Sequence, residues 1–128
     1  MTSDLPAGRR YLRTASDLLT RVETTGWPSL EAAAALIADT MAEGGTIHVF
    51  GSGHSHILAE ELYYRAGGFA RVRPILFEGL MLHASAPLST SLERLAGLAA
   101  ALLDEHGVAP ADLLVIASNS DSFRRRVR

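Results

Sequence analysis

Thr46-Ile47-His48-Val49-Phe50-Gly51-Ser52-Gly53-His54-Ser55-His56 is the stretch on which the fold of this chain turns. Its first five residues are short, apolar and rich in β-branched side chains, and they run without a spacer into a glycine-serine loop. A buried strand that feeds such a loop, followed by a helix, is the repeating unit of a parallel α/β sheet.

Downstream, Ile57, Leu58, Leu62 and Ala66 predict a helix over about 54–66, stopped by Gly67-Gly68. A second strand is expected at 72–77. Residues 78–87, Glu78-Gly79-Leu80-Met81-Leu82-His83-Ala84-Ser85-Ala86-Pro87, show no clean period and read as a loop or a short helical turn. Thr90 and Glu93 have capping-box spacing before a helix with Leu92, Leu95, Leu98, Ala99, Leu102 and Leu103 inward and Gly107 just beyond it. A third strand at 113–117 runs into Ser118-Asn119-Ser120.

Upstream, Tyr11, Leu12, Ala15, Leu18, Leu19 and Val22 recur at helical spacing until Gly26-Trp27-Pro28 breaks the pattern. Ser29 is placed to cap a second helix with Leu30, Ala33, Ala34, Ile37, Ala38 and Met41 on one stripe, ended by Gly44-Gly45. The expected fold is a three-layer αβα parallel sheet of about three strands preceded by two helices. The expected organisation is 1–45 for helices that pack on the sheet or on a dimer partner, 46–120 for the sheet domain and 121–128 for a basic tail.

The 128 residues, 48% hydrophobic and 20% charged, fit one globular domain. The absence of cysteine excludes a disulfide framework and a thiolate nucleophile. No run approaches the roughly 18 consecutive apolar residues of a membrane span, and residues 1–13 are polar, so the expectation is a cytoplasmic protein without a membrane partner. All 12 basic residues are arginines. Residues 1–123 hold 8 of them against 14 acids, a net of −6, and Arg124, Arg125, Arg126 and Arg128 restore the total to −2. The body lacks a basic face and interleaved aromatics, so nucleic acid is not an expected partner.

Right-handed crossovers carry the ends of parallel strands to one rim, where α/β folds place their ligands. Both polar loops, 51–56 and 118–120, follow strands and belong on that rim. Backbone N–H groups of a glycine loop at a helix start converge on an anion, and phosphate is the natural guest. Ser52 and Ser55 add hydroxyl donors, and Ser118-Asn119-Ser120 offers three more short polar side chains. Each loop also has a plain structural role open to it, a tight turn with a serine N-cap for the first and an ordinary turn for the second.

Three blocks together resemble SIS (sugar isomerase) domain proteins: Val49-Phe50-Gly51-Ser52-Gly53-His54-Ser55-His56 with Ala59-Glu60-Glu61-Leu62, then Glu78-Gly79-Leu80-Met81-Leu82-His83, then Ile116-Ala117-Ser118-Asn119-Ser120. The resemblance spans roughly residues 5–120 and is nearest to uncharacterised bacterial SIS proteins about twice this length. It implies a flavodoxin-like sheet, usually dimeric, with a phosphorylated sugar or amino-sugar derivative held at the strand ends. By resemblance Ser55, Ser118 and Ser120 contact the phosphate, and Ser52 and Gly53 supply loop geometry or backbone donors.

The family's glycine after the second serine is replaced here by Asp121. A carboxylate about 5 Å from a phosphate costs on the order of 3 kcal/mol per unit charge at an effective dielectric near 20. The helix expected next gives way to the arginine tail, so the domain is expected to be truncated and this chain inactive, with isomerase chemistry expected only of full-length relatives.

Aldose-ketose isomerisation needs an acid and a base. Glu61, by resemblance, and His83, from its loop, are the catalytic candidates, and Glu60 reads as a solvated helix residue. His54 and His56 are two apart and do not share a helical face, so no metal site is expected. No cofactor is expected either. Two other readings stay open: a non-catalytic sugar-phosphate sensor, which shares the pocket, or an inactive fragment; and a dinucleotide-binding unit. The latter lacks the third glycine, replaced by His56, and lacks an acid at the usual distance.

Overall fold

Three strands, β1 at Ile47–Gly51, β2 at Val72–Ile75 and β3 at Leu113–Ala117, form a parallel sheet in the order β2-β1-β3. The structure is a computed structural model in which residues 5–119 are described. Parallel strands need crossovers. Here the first passes through α3, His56–Leu62, and the second through α4, Leu82–Leu92, and α5, Leu98–Glu105.

Side chains alternate across the central strand, and each face has its own core. On one face Ile47, Val49, Ala59 of α3 and Val72 are buried together, with Leu113, Val115, Ile37 and Met41 packed against them. On the other, Ile75, Leu80 and Leu102 of α5 are buried, backed by Phe50, Leu103 and Leu114. Helical residues therefore cover both faces, and the mixed α/β architecture expected from the apolar strands is the one observed.

The local boundaries differ in instructive ways. Helix α3 stops at Leu62, a turn short of the expected end, and Tyr64 takes a left-handed φ of 47°. Residues 60–71 are all exposed, so no burial supports a further turn there. Nor does Thr90 cap a helix. Its hydroxyl donates back to the Ala86 carbonyl at 3.1 Å, within α4. The break in α4 is at Ser85, whose hydroxyl accepts from Leu88 N–H at 3.4 Å, and Pro87 falls in the turn just after it, where a missing N–H costs little.

The start of β3 is tied to the start of β1 by Asp112. Its Oδ1 accepts from Thr46 N–H at 2.8 Å, and its Oδ2 accepts from Ala109 N–H at 2.9 Å and lies 3.2 Å from Nε2 of buried His48. The Ala109 and Thr46 N–H groups, and after them His48, hold the Asp112 carboxyl below its ordinary pKa against the upward pull of burial. His48 Nδ1 is buried with no hydrogen-bonding partner among the described residues.

The chain divides into two compact units, residues 1–36 and 37–128. In the first, α1 at Ala7–Arg21 passes into a π-helical stretch, Val22–Gly26, and then into the first turns of α2, whose full span is Trp27–Ala42. The break expected at Gly26-Trp27-Pro28 is thus a widened helical turn. Pro28 removes an N–H and crowds the preceding turn, and the wider turn absorbs it. Thr24 and Thr25 hydroxyls bond back to the Thr20 and Arg21 carbonyls at 2.8 and 2.7 Å. No side chain of α1 is buried, and Tyr11 and Leu19 are more than two-thirds exposed. No helix among the described residues is long and apolar enough to cross a membrane.

Candidate functional site

Gly51 ends β1 and pairs with Ala117, the end of β3, so the two polar loops leave the sheet side by side. Adjacent strands lie about 4.8 Å apart. The loop after Gly51 folds back tightly: Ser55 N–H donates to the Ser52 carbonyl at 3.0 Å, closing a one-turn 3₁₀ helix at Gly53–Ser55. A Cβ at Gly51 would lie 2.5 Å from the backbone carbonyl carbon and oxygen of Ser55, so only glycine fits. Gly53 has a φ of 54°, a conformation L side chains rarely adopt.

Ser52 and Ser55 are half-buried. Neither hydroxyl is bonded to a described residue, so both stay available to a guest. Helix α3, which follows the loop, has seven residues. Ser118 and Asn119 are exposed at the end of β3, whereas Ser120, like Asp121 and the arginine tail, lies outside the described residues.

His56, buried at the start of α3, joins the loop to two other elements. Its Nδ1 faces the Gly53 carbonyl oxygen, and its Nε2 is 3.3 Å from Glu60 Oε1. The ring of His83, at the start of α4, meets it edge to face with centroids 5.7 Å apart. Leu82 lies against Gly53, 3.6 Å from where a Cβ would be. The segment that sequence pattern left undefined therefore abuts the glycine loop.

Glu61 is exposed and pairs with Arg65 one turn on. The structure thus brings His83 to His56 and turns Glu61 towards Arg65, while Glu60 faces His56. The signal for the Glu60 contact was its i, i+4 spacing from His56 on a helix. No group of three or more metal-ligating side chains is assembled among the described residues. Two cavities, of about 320 and 620 Å³, lie beside the 63–74 segment, and no residue of 51–56 lines either.

A family model for the SIS domain matches residues 10–124. The chain belongs to the SIS-domain family. Among its relatives, a UPF0309 protein of Listeria monocytogenes is 47% identical over 88 residues, covering 69% of this chain and 36% of the relative. A UPF0309 protein of Halalkalibacterium halodurans is 43% identical over 110 residues, 86% of this chain and 46% of the relative. One from Brucella ovis is 46% identical over 91 residues, 71% of this chain and 38% of the relative. The SIS chain described here thus spans less than half the length of each of these relatives.

Proposed function

We propose that this SIS domain binds a phosphorylated sugar or amino-sugar derivative on the rim formed by loops 51–56 and 118–120. The observation that carries the reading is the pairing of Gly51 with Ala117, which sets a tight glycine loop with two unspent hydroxyls beside a second serine loop. Ser55 is assigned to the phosphate with Ser118 and Ser120, and Ser52 and Gly53 contribute backbone donors and loop shape. Glu61 and His83 stay the candidates for sugar isomerisation in the longer relatives, and a sensor built on the same pocket differs from an enzyme only in turnover. The reading includes a cytoplasmic location and a homodimer, and the exposed apolar face of α1 supports the homodimer alone.

The test is a thermal-shift titration of the chain with a panel of sugar phosphates and their unphosphorylated counterparts, repeated with Ser55→Ala. Stabilisation by phosphorylated ligands alone, lost in the variant, is the expected result. Equal shifts with free sugars, or no shift with any ligand, would sink the reading. Turnover is read separately, by following aldose and ketose phosphate signals by NMR.

A further inference from the structure

A neutral imidazole carries one N–H and one bare nitrogen. His56 faces two acceptors at once, the Gly53 carbonyl oxygen at Nδ1 and the Glu60 carboxylate at Nε2. A carbonyl oxygen has no proton to give, so Nδ1 bears the hydrogen and donates it. In a neutral ring the remaining lone pair on Nε2 would then point at a carboxylate oxygen 3.3 Å away, lone pair against lone pair. The arrangement is satisfied only when one more proton sits between them, on the ring or on Glu60.

We infer that His56 and Glu60 form a proton-holding pair at the glycine loop, so that a phosphate monoester seated on residues 51–56 binds together with one proton and binds more weakly as pH rises. The inference deepens the phosphosugar reading and rests on it for the identity of the anion. His56 is a positioning residue in this scheme: Nδ1–H fixes the Gly53 carbonyl, and the proton at Nε2 keeps a compensating positive charge beside the loop, worth most where the ring is shielded from water. His56 is buried and Glu60 is half exposed, so the carboxylate can leave for solvent when the proton goes.

The groups around the pair are few. From α4, His83 meets the ring edge to face. His54, in the 3₁₀ turn, is exposed, and Glu61 is turned to Arg65. Glu60 is thus the carboxylate that faces the His56 ring among the described residues.

Glu60→Gln separates the proton from the rest of the site. A glutamine amide can donate to a bare Nε2, which satisfies the neutral ring and removes the need for the extra proton. Affinity for glucose 6-phosphate is measured across the range from about pH 6 to about pH 8.5 in wild type and E60Q; since the ligand's own ionisation is common to both, their difference isolates the pair. The expected result is an affinity ratio, wild type to variant, that falls about tenfold as pH rises. At the alkaline end of that range, calorimetry in buffers of different ionisation enthalpy should also show proton uptake on binding to wild type that E60Q lacks.

A parallel readout needs no ligand. Long-range ¹⁵N–¹H spectra of the histidine side chains should show His56 with Nδ1 protonated and, at the acid end of that range, Nε2 protonated or sharing a proton in wild type, and Nε2 bare in E60Q. Identical pH dependence in the two proteins, or a bare Nε2 throughout that range in wild type, would overturn the inference. If no sugar phosphate binds at any pH, the phosphosugar reading falls, and the ligand-free spectra still decide whether the pair holds its proton.

Discussion

Gly51 and Ala117 face each other on the last shared rung of β1 and β3, and the backbone of Gly51 is pressed against the Ser55–His56 peptide. The strand pairing and the loop closure therefore meet at one residue without a side chain. Gly51→Ala places a methyl 2.5 Å from backbone atoms that belong to the same tight turn. The expected cost is about 3 kcal/mol, at the upper end of overpacking, because backbone has to move. Urea denaturation measures it, and a variant as stable as wild type would mean the loop is looser than described.

Asp112 supplies the pH dependence. A carboxylate whose pKa is depressed in the folded state stabilises the fold above its unfolded value, and that contribution disappears as pH falls through the folded value. Since Ala109 and Thr46 N–H groups lower the Asp112 pKa, Asp112→Ala should lower the urea midpoint at neutral pH. Wild type and variant should converge as pH drops below the ordinary carboxylate range. A gap that stays constant well below that range would show that the aspartate acts by packing alone.

Tyr64 is 94% exposed and sits at a φ of 47°. A left-handed conformation costs an ordinary side chain roughly 1–2 kcal/mol, and asparagine tolerates it better. Tyr64→Asn should therefore stabilise the chain by about 0.5–1 kcal/mol in chemical denaturation. The substitution gives up the ring contact with Tyr63, at 6.0 Å between centroids, and a net destabilisation would mean that contact outweighs the backbone strain.

Leu12 and Leu19 lie on the exposed apolar stripe of α1. If that stripe is the homodimer contact, Leu12→Glu with Leu19→Glu should convert a dimer into a monomer in sedimentation equilibrium while leaving the far-UV circular dichroism unchanged. A wild-type chain that sediments as a monomer at its highest soluble concentration removes the homodimer from the proposal.

The strands were legible because a parallel sheet buries both faces and its strands read as unbroken apolar runs; residues 113–117 are the clearest case, expected and found with the same bounds. The rim was legible for the same reason, since strand ends fix where loops begin. The end of α3 was not, because Leu62 and Ala66 continue an apolar pattern that the fold leaves in water. Nor was the placement of 78–83. Its position depends on Leu80 entering the second core and on the break at Ser85, neither of which has a period to detect. Glu60 and Glu61 are adjacent in the chain, and only the rotation of α3 relative to the loop decides which of them faces His56.

The Asp112 clamp joins residues 64 and 66 positions apart along the chain, Asp112 to His48 and to Thr46. During synthesis, β1 can meet β2 soon after it emerges, but its other edge has no neighbour until β3 has been made. At about 5–20 residues per second that delay lasts several seconds. Throughout it the central strand of the finished sheet is an edge strand, open to a chaperone or to the same strand of a neighbouring nascent chain. The order in which the ribosome delivers the strands thus makes residues 47–51 the segment most in need of protection before the fold closes over it.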